Sequence, residues 1–259
     1  MTRTIRLLRY FRARTARLGF TEAMFGLAGL INYPRGGFPR YSVDQFMGSI
    51  CKKVGDGALV LDAGAGARPY KSLFTHANYH SCEYEGTYDK VHGDASVEHT
   101  FYCDLETVPV EDNTYDAIIC NQVLEHVKRP DKVMQELYRI LKPEGRLFIT
   151  VPQCHGTHMA PYNYFNFISY GLVFLMEEAG FRNISIKPLG GVFWLLGTVM
   201  LRGYETLVSR VHRSLRPWIL PFHVMIRLAF VPVNFVLFHL DRLDDQSSWT
   251  LNYGCSCVK

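Results

Sequence analysis

Asp62, Gly64 and Gly66 form a D-x-G-x-G run that closes the segment Leu59-Val60-Leu61-Asp62-Ala63-Gly64-Ala65-Gly66. Glycine takes backbone conformations that a Cβ forbids, so two glycines one residue apart read as a tight turn whose backbone can lie against a ligand. A carboxylate about 20 residues further on is what recognition of ribose hydroxyls needs. Glu83 stands there, with Glu85 as the alternative if the strand ends later. Together these residues suit the binding of a nucleoside at the carboxyl end of a parallel strand. A second set lies downstream. His155 and His158 titrate near neutral pH and suit acid–base work. Tyr162, Tyr164 and Phe165 follow them and suit the walls of an acceptor pocket. Hydrogen-bonded loop histidines and plain core aromatics are the structural alternatives.

Alternating strand-like and helix-like segments must position these residues. Residues 43–54 read as a helix and 58–62 as the first strand, an apolar run buried on both faces. Pro69 to Phe74 opens a further helix, Tyr79 to Tyr84 is a second strand and His99 to Tyr102 a short third. Tyr115 to Cys120 is a fourth strand, and residues 130–141 form an amphipathic helix with Val133, Leu137, Ile140 and Leu141 on one face. Arg146 to Val151 is a fifth strand. Tyr170 to Ala179 is a helix closed by Gly180, and Phe181 to Lys187 is a sixth strand. Val192 to Leu201, Tyr204 to Leu215 and Ile219 to Leu240 read as apolar helices, and residues 248–258 as a final strand.

The third glycine of a dinucleotide-binding G-x-G-x-x-G is replaced by Pro69, so the dehydrogenase pattern is broken. What remains resembles a class I S-adenosylmethionine-dependent methyltransferase of the type-11 group. Val60–Gly66 resembles the family's first motif, Cys103-Asp104-Leu105 its adenine-binding segment, Tyr115–Val127 its fourth strand and exit, and Leu141–Leu147 its fifth-strand entry. The resemblance covers residues 58–188. It implies S-adenosyl-L-methionine as cofactor, held by Asp62, Gly64, Ala65, Gly66, Glu83, Asp104, Leu105 and Asn121. Asp62 has the alternative role of holding the glycine turn, and Asp104 that of an N-cap. The resemblance further implies a doubly wound seven-stranded sheet in the order 3-2-1-4-5-7-6. Strand 7 is then antiparallel, helices cover both faces, and an apolar helical insertion lies between strands 6 and 7.

Methyl transfer from a sulfonium is an in-line displacement, so the protein mainly supplies binding and alignment. Gln122, His126, Tyr162 and Tyr164 are the expected acceptor-pocket residues, and His155 and His158 the expected proton-transfer groups. The loop after strand five resembles a subgroup that carries Asp, Arg and Thr where this chain has Asn163, Asn166 and Ile168. A carboxylate base is therefore missing. Glu125 and His126 also read simply as part of a helix after strand four.

A net charge of +4 excludes a strongly basic nucleic-acid binder. The Asp/Asn-Pro-Pro-Tyr run of amino-methylating nucleic-acid enzymes is absent, with Asn121-Gln122-Val123-Leu124 in its place. Seven cysteines are scattered without a CxxC spacing or any other metal-ligand pattern, which fits reduced thiols in a cytoplasm. Arg3, Arg6, Arg9, Arg12, Arg14 and Arg17 lie opposite Leu7, Leu8, Phe11 and Leu18, the pattern of a basic amphipathic arm. A mitochondrial transit peptide is the other reading of this stretch.

The domains expected are therefore an arm over 1–40, a methyltransferase domain over 41–190 plus 248–259, and an apolar insertion over 191–247. Strand 7 must rejoin the sheet that strand 6 left, which argues against a single membrane span. Val192 to Leu201 is too short to supply a return. The insertion then meets an anionic membrane interface, covers the active site as a lid, or forms a dimer contact. The resulting expectation is a cytoplasmic enzyme, peripheral at the inner face of a membrane, methylating a small or lipid-linked acceptor. A cofactor-binding scaffold without activity is the alternative.

Overall fold

The computed structural model describes residues 37–85, 97–211, 215–245 and 248–259. The arginine stripe from Arg3 to Arg17 lies outside the described residues. Seven strands form one sheet: β1 (Leu59–Ala63), β2 (Asn78–Glu83), β3 (Phe101–Tyr102), β4 (Tyr115–Asn121), β5 (Leu141–Pro152), β6 (Arg182–Leu189) and β7 (Asn252–Val258). Their order is β3-β2-β1-β4-β5-β7-β6, as expected. β1 pairs in parallel with β2 and β4, and β4 with β5. β7 runs antiparallel between β5 and β6. The helices are α1 (Gly37–Ile50), α2 (Pro130–Ile140), α3 (Ser169–Glu178), α4 (Val192–Ser209) and α5 (Arg216–Leu240).

The apolar runs follow from burial on both faces of a sheet whose side chains alternate. Val60, Ala117, Ile119 and Phe148 pack with Val43, Phe46, Met47 and Ile50 of α1. Their strand neighbours Leu61, Ile118, Cys120, Leu147 and Ile149 pack with Val133, Met134, Leu137 and Ile140 of α2 and with Leu172 and Met176 of α3. α2 begins on Pro130, whose missing N–H costs nothing in a first turn. Gly254 in β7 makes room for the Phe46 ring, because a Cβ there would stand 2.6 Å from Phe46 Cδ2.

Three local expectations are corrected. Pro69 to Phe74 does not open an α-helix; only a 3-10 turn, Lys71–Leu73, forms before Asn78 pairs with Leu59. Val192 to Leu201 and Tyr204 onward are one helix, because Gly203 has open space around it and no turn to serve. β5 begins at Leu141, earlier than Arg146, with a register shift opposite Tyr115 and Ala117.

The chain divides into two compact units. One holds the sheet, over Ser42–Gly191 and residues 248–259. The other holds Gly37–Tyr41 with α4 and α5. In this second unit the rings of Phe38, Trp194 and Phe238 cluster mutually, with centroids 5.4, 5.2 and 6.3 Å apart. Tyr204 meets His223 at 2.7 Å, and Arg227 pairs with Glu205 at 2.7 Å, so α4 and α5 lie antiparallel. The stretch Trp218–Leu243 is long and apolar enough to cross a membrane, and only 11% of its most apolar window is buried. α4 is 18 residues long but is not a second candidate span, so among the described residues one helix meets that length and composition.

Candidate functional site

β1 ends in a turn where Gly64 has φ +74° and Gly66 φ +50°. Both conformations are costly for residues with a Cβ. Gly64 is further constrained by its neighbour: a Cβ there would stand 2.6 Å from Val123 Cγ2. The glycine turn and the exit of β4 are therefore in contact. The amides of Gly64 and Ala65 donate to the Cys82 carbonyl, each at 3.0 Å. The Gly66 amide donates to Glu83 Oε2 at 2.7 Å, and the Tyr84 amide to Glu83 Oε1 at 3.0 Å. A carboxylate offers about four lone-pair sites, so two remain on Glu83 for the hydroxyls of a sugar. Glu85 is exposed.

Asp62 is buried inside β1 and accepts a hydrogen bond from the Tyr79 hydroxyl. Burial pushes its carboxyl up to about 6, against the Tyr79 bond, which lowers it, and with a smaller push from Glu83. Its contact is thus with the neighbouring strand. Asp104 is exposed and its Oδ1 accepts the Glu106 amide at 2.9 Å, capping a turn, while Leu105 enters the core. At the end of β4, Thr150 Oγ1 donates to Asn121 Oδ1 at 2.5 Å and accepts from Gln122 Nε2 at 3.2 Å. Gln122 has φ +56°, which turns the chain sharply out of the sheet.

The loop after β5 folds onto that exit. The Tyr164 amide donates to the Glu125 carbonyl at 2.8 Å. His126 Nδ1 lies 2.5 Å from the Tyr162 carbonyl. A carbonyl can only accept, so Nδ1 carries the proton and Nε2 keeps its lone pair. The same reasoning applies to His155 and His158, whose Nδ1 atoms lie 2.9 and 3.2 Å from the Gly156 carbonyl. The His158 ring sits 4.8 Å from that of His126 and 4.6 Å from that of His155, centroid to centroid. Burial lowers the titration of both His126 and His158, so each is neutral at pH 7. Asn163 Oδ1 accepts the His158 amide at 3.3 Å, and Asn166 Nδ2 donates to the His155 carbonyl at 3.0 Å. The two asparagines hold the histidine loop in shape. Tyr162, Tyr164 and Phe165 are each around 40% exposed, at 41%, 38% and 39%, so they line a surface rather than a core.

Glu125 is the residue that sequence reasoning passed over. It sits in a 3-10 turn, Leu124–His126, and is fully buried. Neither carboxylate oxygen has a hydrogen-bond partner, and burial pushes the carboxyl up to about 8. The one available signal was its place beside His126, straight after an apolar strand.

Comparison with known proteins agrees with this geometry. The family model described as a methyltransferase domain matches residues 61–149. The ubiquinone/menaquinone biosynthesis C-methyltransferase UbiE of Haemophilus ducreyi is 29% identical over 122 residues, covering 42% of this chain and 45% of that protein. A probable tRNA methyltransferase 9B of Mus musculus is 31% identical over 98 residues, covering 37% of this chain and 22% of that one. The chain thus spans less than half the length of these relatives. A SAM-dependent methyltransferase from Archaeoglobus fulgidus shares the fold at TM-score 0.52 and 12% identity, over 84% of this chain and 94% of that one. The matched methyltransferase domain over residues 61–149, the strand order and the antiparallel seventh strand together support a class I S-adenosylmethionine-dependent methyltransferase fold of the type-11 group.

Proposed function

We propose that this protein transfers a methyl group from S-adenosylmethionine to a small or lipid-linked acceptor. The observation that carries the reading is Glu83, which spans the Gly66 and Tyr84 amides at the mouth of the glycine turn with lone pairs to spare. That cradle fits a ribose diol, and the positive-φ backbone of Gly64 and Gly66 fits the close approach of an adjoining chain. Asp104 keeps its second oxygen for an adenine amino group, Leu105 supports that turn from the core, and Asn121 closes the far side. Asp62 acts one step back, by holding β1 to Tyr79.

When bound, the cofactor supplies a methyl group already activated on sulfonium, so the chain need only align an acceptor and manage its proton. Tyr162, Tyr164, Gln122 and His126 border the space where that acceptor would lie. An acceptor hydroxyl or ammonium must lose a proton as its bond to the methyl carbon forms. His155 and His158, each with Nδ1 turned to the Gly156 carbonyl, are the groups to take it on Nε2. The small-molecule reading is supported by the exposed aromatic lining. The exposed apolar residues of α5, among them Trp218, Phe222, Met225 and Phe235, support an acceptor or surface of lipid character. Seven free cysteines suit a reducing cytoplasm. The inactive-scaffold reading keeps cofactor binding without turnover.

Titration calorimetry with S-adenosylmethionine and its demethylated product tests the proposal. The parent should bind both, and Glu83→Gln should weaken binding about 10- to 100-fold, the range for hydrogen bonds to a charged group. Unchanged affinity in Glu83→Gln overturns the placement of the cofactor. Turnover on a quinone-type or lipid-linked acceptor, with tRNA as the competing arm, separates an enzyme from a scaffold and one acceptor class from the other.

A further inference from the structure

We propose that Glu125, His126 and His158 form a binding site for one divalent first-row transition-metal ion. A ligand-capable atom from each of the three residues lies within 4.8 Å of the other two. His126 Nε2 already stands 3.8 Å from Glu125 Oε1. An ion with bonds of about 2.1 Å holds tetrahedral donors about 3.4 Å apart, so small side-chain rotations close the site.

Three features support it independently of that spacing. First, the Glu125 carboxylate is fully buried and both oxygens lack partners. An isolated buried charge is costly unless it is neutralised by a proton or a cation. A protonated Glu125 has no acceptor within hydrogen-bond distance among the described residues, with His126 Nε2 at 3.8 Å; a cation between them answers the carboxylate and the imidazole together. Second, the imidazoles are set as metal ligands are set. Each donates Nδ1–H to a backbone carbonyl, His126 to Tyr162 and His158 to Gly156, which fixes the tautomer and leaves Nε2 for the metal. Third, His126 and His158 are both partly exposed, so an ion can reach the buried carboxylate through them.

The donor set selects the ion. Two imidazoles with one carboxylate suit zinc, cobalt, nickel or manganese, whereas magnesium and calcium prefer oxygen ligands alone. Three protein ligands leave a fourth position open, the arrangement of catalytic rather than structural sites. On the proposed methyl-transfer reading, an acceptor oxygen would fill that position and lose its proton more easily there. His158 would then be a ligand, leaving proton transfer to His155. Metal binding would release to solvent any proton held on Glu125.

The full chain, stripped with a chelator, is titrated with cobalt(II) and followed by visible absorption and by metal content after dialysis. One cobalt per chain, with d–d bands and displacement by zinc but not magnesium, is expected. Glu125→Gln, which keeps shape, and His158→Ala, in a half-exposed loop, should each weaken binding at least tenfold, and His155→Ala should not. Absence of the bands, or parent-like binding in both Glu125→Gln and His158→Ala, overturns the site. Cofactor calorimetry on the same samples keeps the two claims apart. Lost metal binding with intact cofactor binding refutes this site alone, and the reverse refutes the proposed function alone.

Discussion

The glycine turn after β1 and the histidine loop after β5 end neighbouring parts of one sheet but are built on opposite terms. In the turn, the amides of Gly64, Ala65 and Gly66 are answered by Cys82 and Glu83 within 18 residues of sequence. Where the loop folds onto the exit of β4, polar groups are left over: both oxygens of Glu125 and Nδ2 of Asn163 are buried without partners. Buried polar groups are normally satisfied. The difference teaches that the turn is internally satisfied as it stands, while the histidine region holds polar capacity left unmet; on the proposed function these are the cofactor and acceptor ends.

The largest test of this contrast is Gly64→Val. Gly64 lies against the Val123 side chain and has a φ of +74°. A valine here faces both an overpacking cost and a left-handed conformation, so a loss of about 3 kcal/mol or more is expected in denaturant unfolding. Parent-like stability would show that the turn is not closed as described.

Asp62→Asn comes next and depends on pH. The folded Asp62 carboxyl stands at about 6 against an ordinary 3.8. The folded state therefore holds a proton that the unfolded chain has lost between those values, and stability falls as pH rises from about 4 through about 6. Asparagine has no proton to lose. The variant should gain on the parent across that window, on the order of 2 kcal/mol, and run parallel to it above pH 7. The groups facing this carboxyl are Tyr79, Glu83 and the Cys120 thiol. Thermal melts of the two proteins at several pH values decide it; parallel curves throughout would remove the buried charge from the account.

The smallest effect is Asn163→Asp. It removes the unpartnered Nδ2 while keeping an oxygen for the His158 amide. Stability should change by less than about 1 kcal/mol. The new charge should raise the titration of His158, read by NMR of the imidazole protons. A His158 titration that does not move would mean that Asn163 does not face the histidine cluster.

Much of the sheet was legible because strands buried on both faces read as unbroken apolar runs, as at Leu59–Leu61 and Ala117–Cys120. The place of Glu83 beside the glycine turn was legible because its distance from the glycines is set by one strand–turn–strand unit. Glu125 was not. Its burial comes from the Tyr164 and Tyr162 contacts of a loop almost 40 residues away, and no local pattern records that. The 3-10 turn at Lys71–Leu73 and the continuity of α4 through Gly203 escaped for a related reason. Propensity at a proline or glycine is a weak prior that neighbouring pairing overrides.

The sequence by itself determined the core strands and the glycine turn with a carboxylate one strand later, since these rest on short-range spacing and apolar runs; the strand order came from the family resemblance. Only the tertiary structure decided that Gly64 answers to Val123, that Asp62 answers to Tyr79, and that Glu125 lies unpartnered beside two oriented imidazoles. These are contacts between segments far apart in the chain, and their energies depend on which polar groups burial leaves without water.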